Sequence, residues 1–169
     1  EKWNNESISV DHIKRKKEGV RDSTVSTAGL TTNTTGWHAD IIVGDDLVVP
    51  ENAYTVEGRE SVVKKASQFT SIRNAGGFTM ACGTRYHPND IYATWKTQTF
   101  PVYDENDEIK EYKPVWEIQE YAVEVDGVFI WPRTVRPSDN KSFGFNNQVL
   151  AKIRAQYEDR VQFFAQYYN

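Results

Sequence analysis

The chain has 169 residues, of which 38% are hydrophobic and 26% charged, with a formal net charge of −4 and a pI of about 5.4. That length supports one domain, or one domain with a small appendage, and the acidic balance excludes whole-surface attraction to nucleic acid. The single cysteine, Cys82, excludes an internal disulfide and suits a reducing cytoplasm; no apolar run approaches the ~20 residues of a membrane span, and no signal peptide is visible.

Residues 1–22 are polar and end in a basic cluster, Lys14-Arg15-Lys16-Lys17 with Arg21, which reads as a surface loop or short helix. This local patch is a candidate for contact with DNA phosphates; in a net acidic chain a solvated face is the simpler reading. Thr24 to Ala28 alternates and is rich in β-branched residues, which predicts a strand closed by Gly29. A polar loop from Thr31 to Gly36 follows. Ile41-Ile42-Val43-Gly44 then reads as a short buried strand that ends abruptly in Asp45-Asp46.

Two adjacent carboxylates at a strand tip repel each other unless something positive sits beside them. In α/β proteins a magnesium ion carrying a nucleotide phosphate is a common reason, because ligands collect at the carboxyl ends of the strands. The alternative is a strand followed by an acidic, solvated turn. Pro50-Glu51-Asn52 breaks the chain, and Val56, Val62, Val63, Ala66, Phe69 and Ile72 recur at helical spacing. One helix is predicted there, from about residue 55 to 73, ended by Gly76-Gly77. Phe78 to Cys82 is a second buried-looking strand running into Gly83-Thr84-Arg85. Pro88 is placed at the first turn of a short helix that Ile91, Tyr92 and Trp95 continue.

The order strand, strand, helix, strand, helix predicts an α/β fold, a mainly parallel sheet with flanking helices. The character changes after Thr97, so residues 1–97 are read as a core and residues 98–169 as a smaller β-hairpin and helical subdomain. Asp104 to Glu108 is an acidic turn, and Val115 to Val125 reads as a strand. Asp126-Gly127 signals a two-residue hairpin turn, with a return through Val128 to Trp131. Pro132 and Pro137 bracket a linker. Leu150, Ile153, Tyr157, Val161, Phe164 and Tyr168 then form an apolar stripe on one helix, or on two if Asp159 caps a second.

Three stretches in this order resemble one family. The runs Ser23 to Leu30 and Thr35-Gly36-Trp37-His38-Ala39-Asp40-Ile41-Ile42-Val43-Gly44-Asp45-Asp46 are similar to the second nucleotide-binding acidic motif of the large terminase subunit of tailed bacteriophages. Ala81 to Tyr92 resembles that family's coupling motif and the helix after it. Phe163-Phe164-Ala165-Gln166-Tyr167-Tyr168-Asn169 resembles the F-x-x-Q-Y-x-N segment that precedes the family's nuclease domain.

The resemblance implies a viral DNA-packaging motor component with a P-loop NTPase-type sheet, followed by a lid and linker subdomain. It implies ATP and magnesium as ligands, and double-stranded DNA, portal protein, small terminase subunit and further copies in a ring as partners. The expected location is the host cell cytoplasm, with no membrane. Asp45 would hold magnesium through its water shell, and Asp46 would orient or deprotonate the attacking water. Many members of the wider class carry Glu at that second position, one methylene longer. Gly83, Thr84 and Arg85 would sense the γ-phosphate.

No G-x-x-x-x-G-K-[ST] motif occurs in the chain, and family order would place it upstream of Glu1 and the nuclease carboxylates downstream of Asn169. The chain therefore reads as the middle of a longer protein, inactive as an isolated piece. Arg59, Arg73 and Arg85 are candidates for a trans-acting arginine, each with a surface ion pair as the plainer alternative. His38 and His87 have no ligand partner at metal spacing, and His12, in the basic segment, reads as solvated. Two other readings remain open: a non-catalytic α/β interaction or scaffold module, and a metal-dependent nuclease using Asp45, Asp46 and Asp90.

Overall fold

Turn residues, helix caps and two stacked indoles cut this chain into many short elements. The computed structural model describes residues 2–3 and 6–168. Strands β1 (Lys2–Trp3), β2 (Ser7–Ser9) and β3 (Val25–Ser26) form an antiparallel sheet in that order. The strand expected over 24–28 is thus shorter: Val25 and Ser26 form the ladder with Ile8 and Ser7, and Thr27 adds one amide bond to the Glu6 carbonyl at 2.8 Å. Between β2 and β3 lies α1 (Ile13–Glu18), which carries the basic cluster. His12 Nδ1 caps it by accepting from the Lys14 amide at 3.2 Å, and Gly19 closes it at φ 66, a left-handed conformation that suits glycine.

Strand β4 (Ala39–Asp45) is followed by α2 (Pro50–Ala53), α3 (Val56–Ala66), α4 (Phe69–Ile72) and β5 (Arg73–Cys82), and β4 and β5 pair in parallel. The single helix expected over 55–73 is interrupted at Ser67-Gln68. The Ser67 hydroxyl donates to the Lys64 carbonyl at 2.7 Å, giving the backbone a local alternative to the next helical turn. Gly76-Gly77 does not end a helix but lies inside β5. The register jumps there, from Ala39↔Arg73 to Ile41↔Phe78, so the glycines absorb the extra residues as a bulge. Gly76 sits at φ 79, and a Cβ on Gly77 would come within 2.5 Å of the Asp40 carbonyl oxygen.

Only one face of this pair is covered. Ile42 and Gly44 are buried, and a Cβ on Gly44 would meet Leu47 Cδ1 at 2.9 Å and Phe69 Cε2 at 3.3 Å. On the other face Ile41, Val43, Phe78 and Met80 face each other in register and are 56%, 56%, 53% and 49% exposed. The two strands expected to be buried are therefore half-buried, because the described residues leave their outer side about half open. The mainly parallel sheet also gives way to a single parallel pair; every other strand pairing among the described residues is antiparallel.

Helix α5 (Ile91–Thr97) starts later than Pro88, because Asp90 takes the capping position. Strands β6 (Thr99–Tyr103) and β7 (Ile109–Pro114) form a hairpin around the acidic turn, where Asp104 Oδ1 accepts from the amides of Asn106 and Glu108 at 2.8 and 3.0 Å. The strand expected over 115–125 does not form. Trp116 leaves the strand path to stack on Trp95, with ring centroids 4.2 Å apart, and its indole donates to Gln98 Oε1 at 3.0 Å. Only β8 (Glu124–Val125) remains, paired with β9 (Val128–Phe129) across Asp126-Gly127, both at positive φ as a type I′ turn requires.

The expected linker between Pro132 and Pro137 contributes β10 (Thr134–Val135), which pairs with β11 (Ser142–Phe143). The terminal stripe divides into α6 (Asn147–Arg154) and α7 (Arg160–Tyr168). Asp159 Oδ1 accepts from the Val161 amide at 2.8 Å, which is the capping that separates them.

The chain divides into two compact units, one of residues up to Leu47 with Glu60–Cys82, the other of Val48–Arg59 with the residues from Gly83 onward. The first buries Ile42, Leu47, Val62 and Ala66; the second buries Val48, Ala53, Ile91, Leu150, Phe163 and Ala165. Among the described residues no helix is long and apolar enough to cross a membrane.

Candidate functional site at the end of the parallel strands

Parallel pairing brings the carboxyl ends of β4 and β5 side by side, with Asp45 opposite Cys82. The Cys82 thiol donates to Asp45 Oδ1 at 3.1 Å. That hydrogen bond, then burial, then the charges of Asp45 and Asp46 push the Cys82 thiol above its ordinary range. The thiol therefore stays protonated and serves as a donor.

Asp46 lies one residue beyond the strand at φ 46, and its amide donates to the Cys82 carbonyl at 3.0 Å. A non-glycine residue with positive φ is held against its intrinsic preference, although Asp tolerates this better than most. Both carboxylates are solvent-exposed. The arrangement presents two acids on a fixed backbone at the carboxyl end of a parallel pair, one of them oriented by a thiol. Among the described residues no three or more His, Cys, Asp and Glu side chains gather to hold a metal directly. A magnesium ion that keeps most of its water shell needs only one or two carboxylates and a phosphate, so Asp45 and Asp46 fit it.

In the second unit the loop Gly83-Thr84-Arg85 is tied to the end of the chain's last helix. The Thr84 hydroxyl donates to Gln166 Oε1 on α7 at 3.5 Å, and Gln166 Nε2 donates to the Tyr86 hydroxyl oxygen. Arg85 donates to the Pro88 carbonyl at 3.4 Å. Burial first, then Asp159 and Tyr86, raise the Tyr54 phenol. Sequence reading includes Gln166 in a motif without giving it a partner. No local signal could have supplied one, since the two residues are 82 positions apart.

The remaining candidates have plainer surroundings. Arg59 Nη1 donates to the Ala53 carbonyl at 2.6 Å, bracing the end of α2. Arg73 is exposed at the start of β5. In the basic cluster Arg15 donates to the Asp22 carbonyl and Lys16 pairs with Asp11 at 2.9 Å, while Lys14 and Lys17 are exposed on the same short helix. Asp90 is a structural carboxylate: it is 1% exposed and accepts from the amides of Tyr92, Ala93 and His87 at 3.1, 3.2 and 3.4 Å. His87 Nδ1 accepts from the Asn89 amide at 3.0 Å, within the same turn. No protein-family model and no curated protein matches the chain.

Proposed function

We propose that this chain is part of the ATPase of a viral DNA-packaging motor of the large-terminase type, coupling ATP hydrolysis to translocation of double-stranded DNA. The observation that carries the reading is the pair Asp45-Asp46 at the carboxyl end of β4, with Asp46 at positive φ and its backbone N–H donating to the Cys82 carbonyl. Backbone strain retained at a carboxylate where ligands of α/β folds gather favours a functional role over an accidental acidic turn.

The half-exposed Ile41, Val43, Phe78 and Met80 face favours a sheet completed by further residues of a longer protein, since parallel sheets are ordinarily covered on both sides. Those residues would include the phosphate-cradling loop of a P-loop-type fold. Asp45 would hold the magnesium water shell, and Asp46 would orient the attacking water and accept its proton. Thr84 would meet the γ-phosphate. Magnesium, when bound, neutralises charge on the transferring phosphoryl group. The basic face of α1 is the proposed DNA-phosphate contact, and Arg59, Arg73 and Arg85 are the candidates for a trans-acting arginine. Portal protein, small terminase subunit and other copies in a ring are the corresponding partners in the host cytoplasm.

In the natural full-length protein that contains this chain, Asp46→Asn should abolish DNA-stimulated ATP hydrolysis while nucleotide binding persists. Asparagine also tolerates positive φ, so the change isolates the charge. Normal turnover would remove Asp46 from the mechanism. The exposure of both carboxylates also suits a non-catalytic α/β interaction module; full-length protein that binds no ATP would favour that reading.

A further inference from the structure

We propose that Gln166 is a positioning residue that competes with the nucleotide γ-phosphate for the single proton of the Thr84 hydroxyl; this rests on the ATPase reading above. A threonine hydroxyl has one O–H to donate. In the structure Gln166 Oε1 is the acceptor within reach of that hydroxyl, at 3.5 Å. Phosphate oxygens at neutral pH are acceptors, so a γ-phosphate engaging Thr84 through its O–H must displace the carboxamide.

The displaced partner is well placed to pass the event on. Gln166 lies in the last turn of α7 and bridges Thr84 to Tyr86 through its two amide atoms. The neighbouring Tyr167 carbonyl accepts from the Val123 amide at 2.6 Å, so the same turn also anchors the segment that leads into β8. Tyr167 further packs on Phe163 and Tyr157. The Thr84 hydroxyl thus has two exclusive partners, the phosphate or α7, and phosphate release returns it to α7.

The sign of the mutational response separates this role from a merely structural tether. The test is the ratio of magnesium-ATP to magnesium-ADP affinity in the full-length protein, because only ATP carries the competing group. Gln166→Ala removes the competitor and should raise that ratio by about 2- to 10-fold, the range expected for one net hydrogen bond. Gln166→Glu supplies a stronger, negatively charged acceptor and should lower it. A tether that only steadies the loop would lower the ratio in both variants, and that result overturns the proposal. An unchanged ratio in both, with ATP still bound, overturns it while leaving the ATPase reading intact. Absence of ATP binding in the unsubstituted protein overturns both.

Discussion

Asp90 and the Asp45-Asp46 pair show the same side chain put to opposite uses. Asp90 is almost wholly buried, and its two oxygens are spent on two backbone amides that start α5 and one, of His87, in the turn before it. Asp45 and Asp46 stand exposed at a strand end, one bonded to a thiol and the other on a backbone at positive φ. The first carboxylate specifies the fold, and removing it should be felt in stability. The other two leave their oxygens open to solvent, and removing them should be felt in chemistry.

Alanine at each place sharpens the contrast. Asp90→Ala leaves buried amides without acceptors and should cost about 2 kcal/mol, the upper end for a helix cap. Asp46→Ala should cost only about 1 kcal/mol, arising from the positive φ, and Asp46→Gly should recover most of it. Denaturant midpoints of the four proteins, including the unsubstituted one, measure this directly. Equal losses at the two sites would erase the distinction.

A smaller effect probes the electrostatics of the strand end. Asp45→Asn removes a negative charge beside Cys82 and leaves only a weaker, neutral acceptor for the thiol, easing two of the causes that hold it up. The thiol should then ionise more readily and react faster with an alkylating reagent near pH 8, with little change in stability. The sign follows from linkage: a thiol raised above its unfolded value contributes stability that is complete below the unfolded value. That contribution is lost as pH rises through the folded value. Asp45→Asn should therefore flatten the decline of stability on the alkaline side.

Much of the local structure was legible because its causes are local. Asp126-Gly127 turns a hairpin through positive φ, and Asp159 divides the terminal stripe into two helices. Both depend on residues within a few positions. The strand expected after Val115 failed for a tertiary reason, the stacking of Trp116 on Trp95. Gly76-Gly77 reads as a stop in sequence and is a bulge in space, because a glycine's role depends on the neighbouring strand. Apolar runs at β4 and β5 carry no information on how many faces will be covered. Pro88 drew the predicted helix start two residues before its true cap, since proline and capping carboxylate are competing signals. At the candidate site the acidic pair could be read from the chain, but the strained φ, the Cys82 thiol and the Gln166 bridge could not.

The most direct test is the magnesium dependence of ATP binding by the natural full-length protein, compared with its Asp45→Asn variant. Magnesium should strengthen ATP binding in the unsubstituted protein, and Asp45→Asn should lose most of that gain, with metal-free affinity unchanged. An equal magnesium gain in both proteins, or no ATP binding in either, would contradict this.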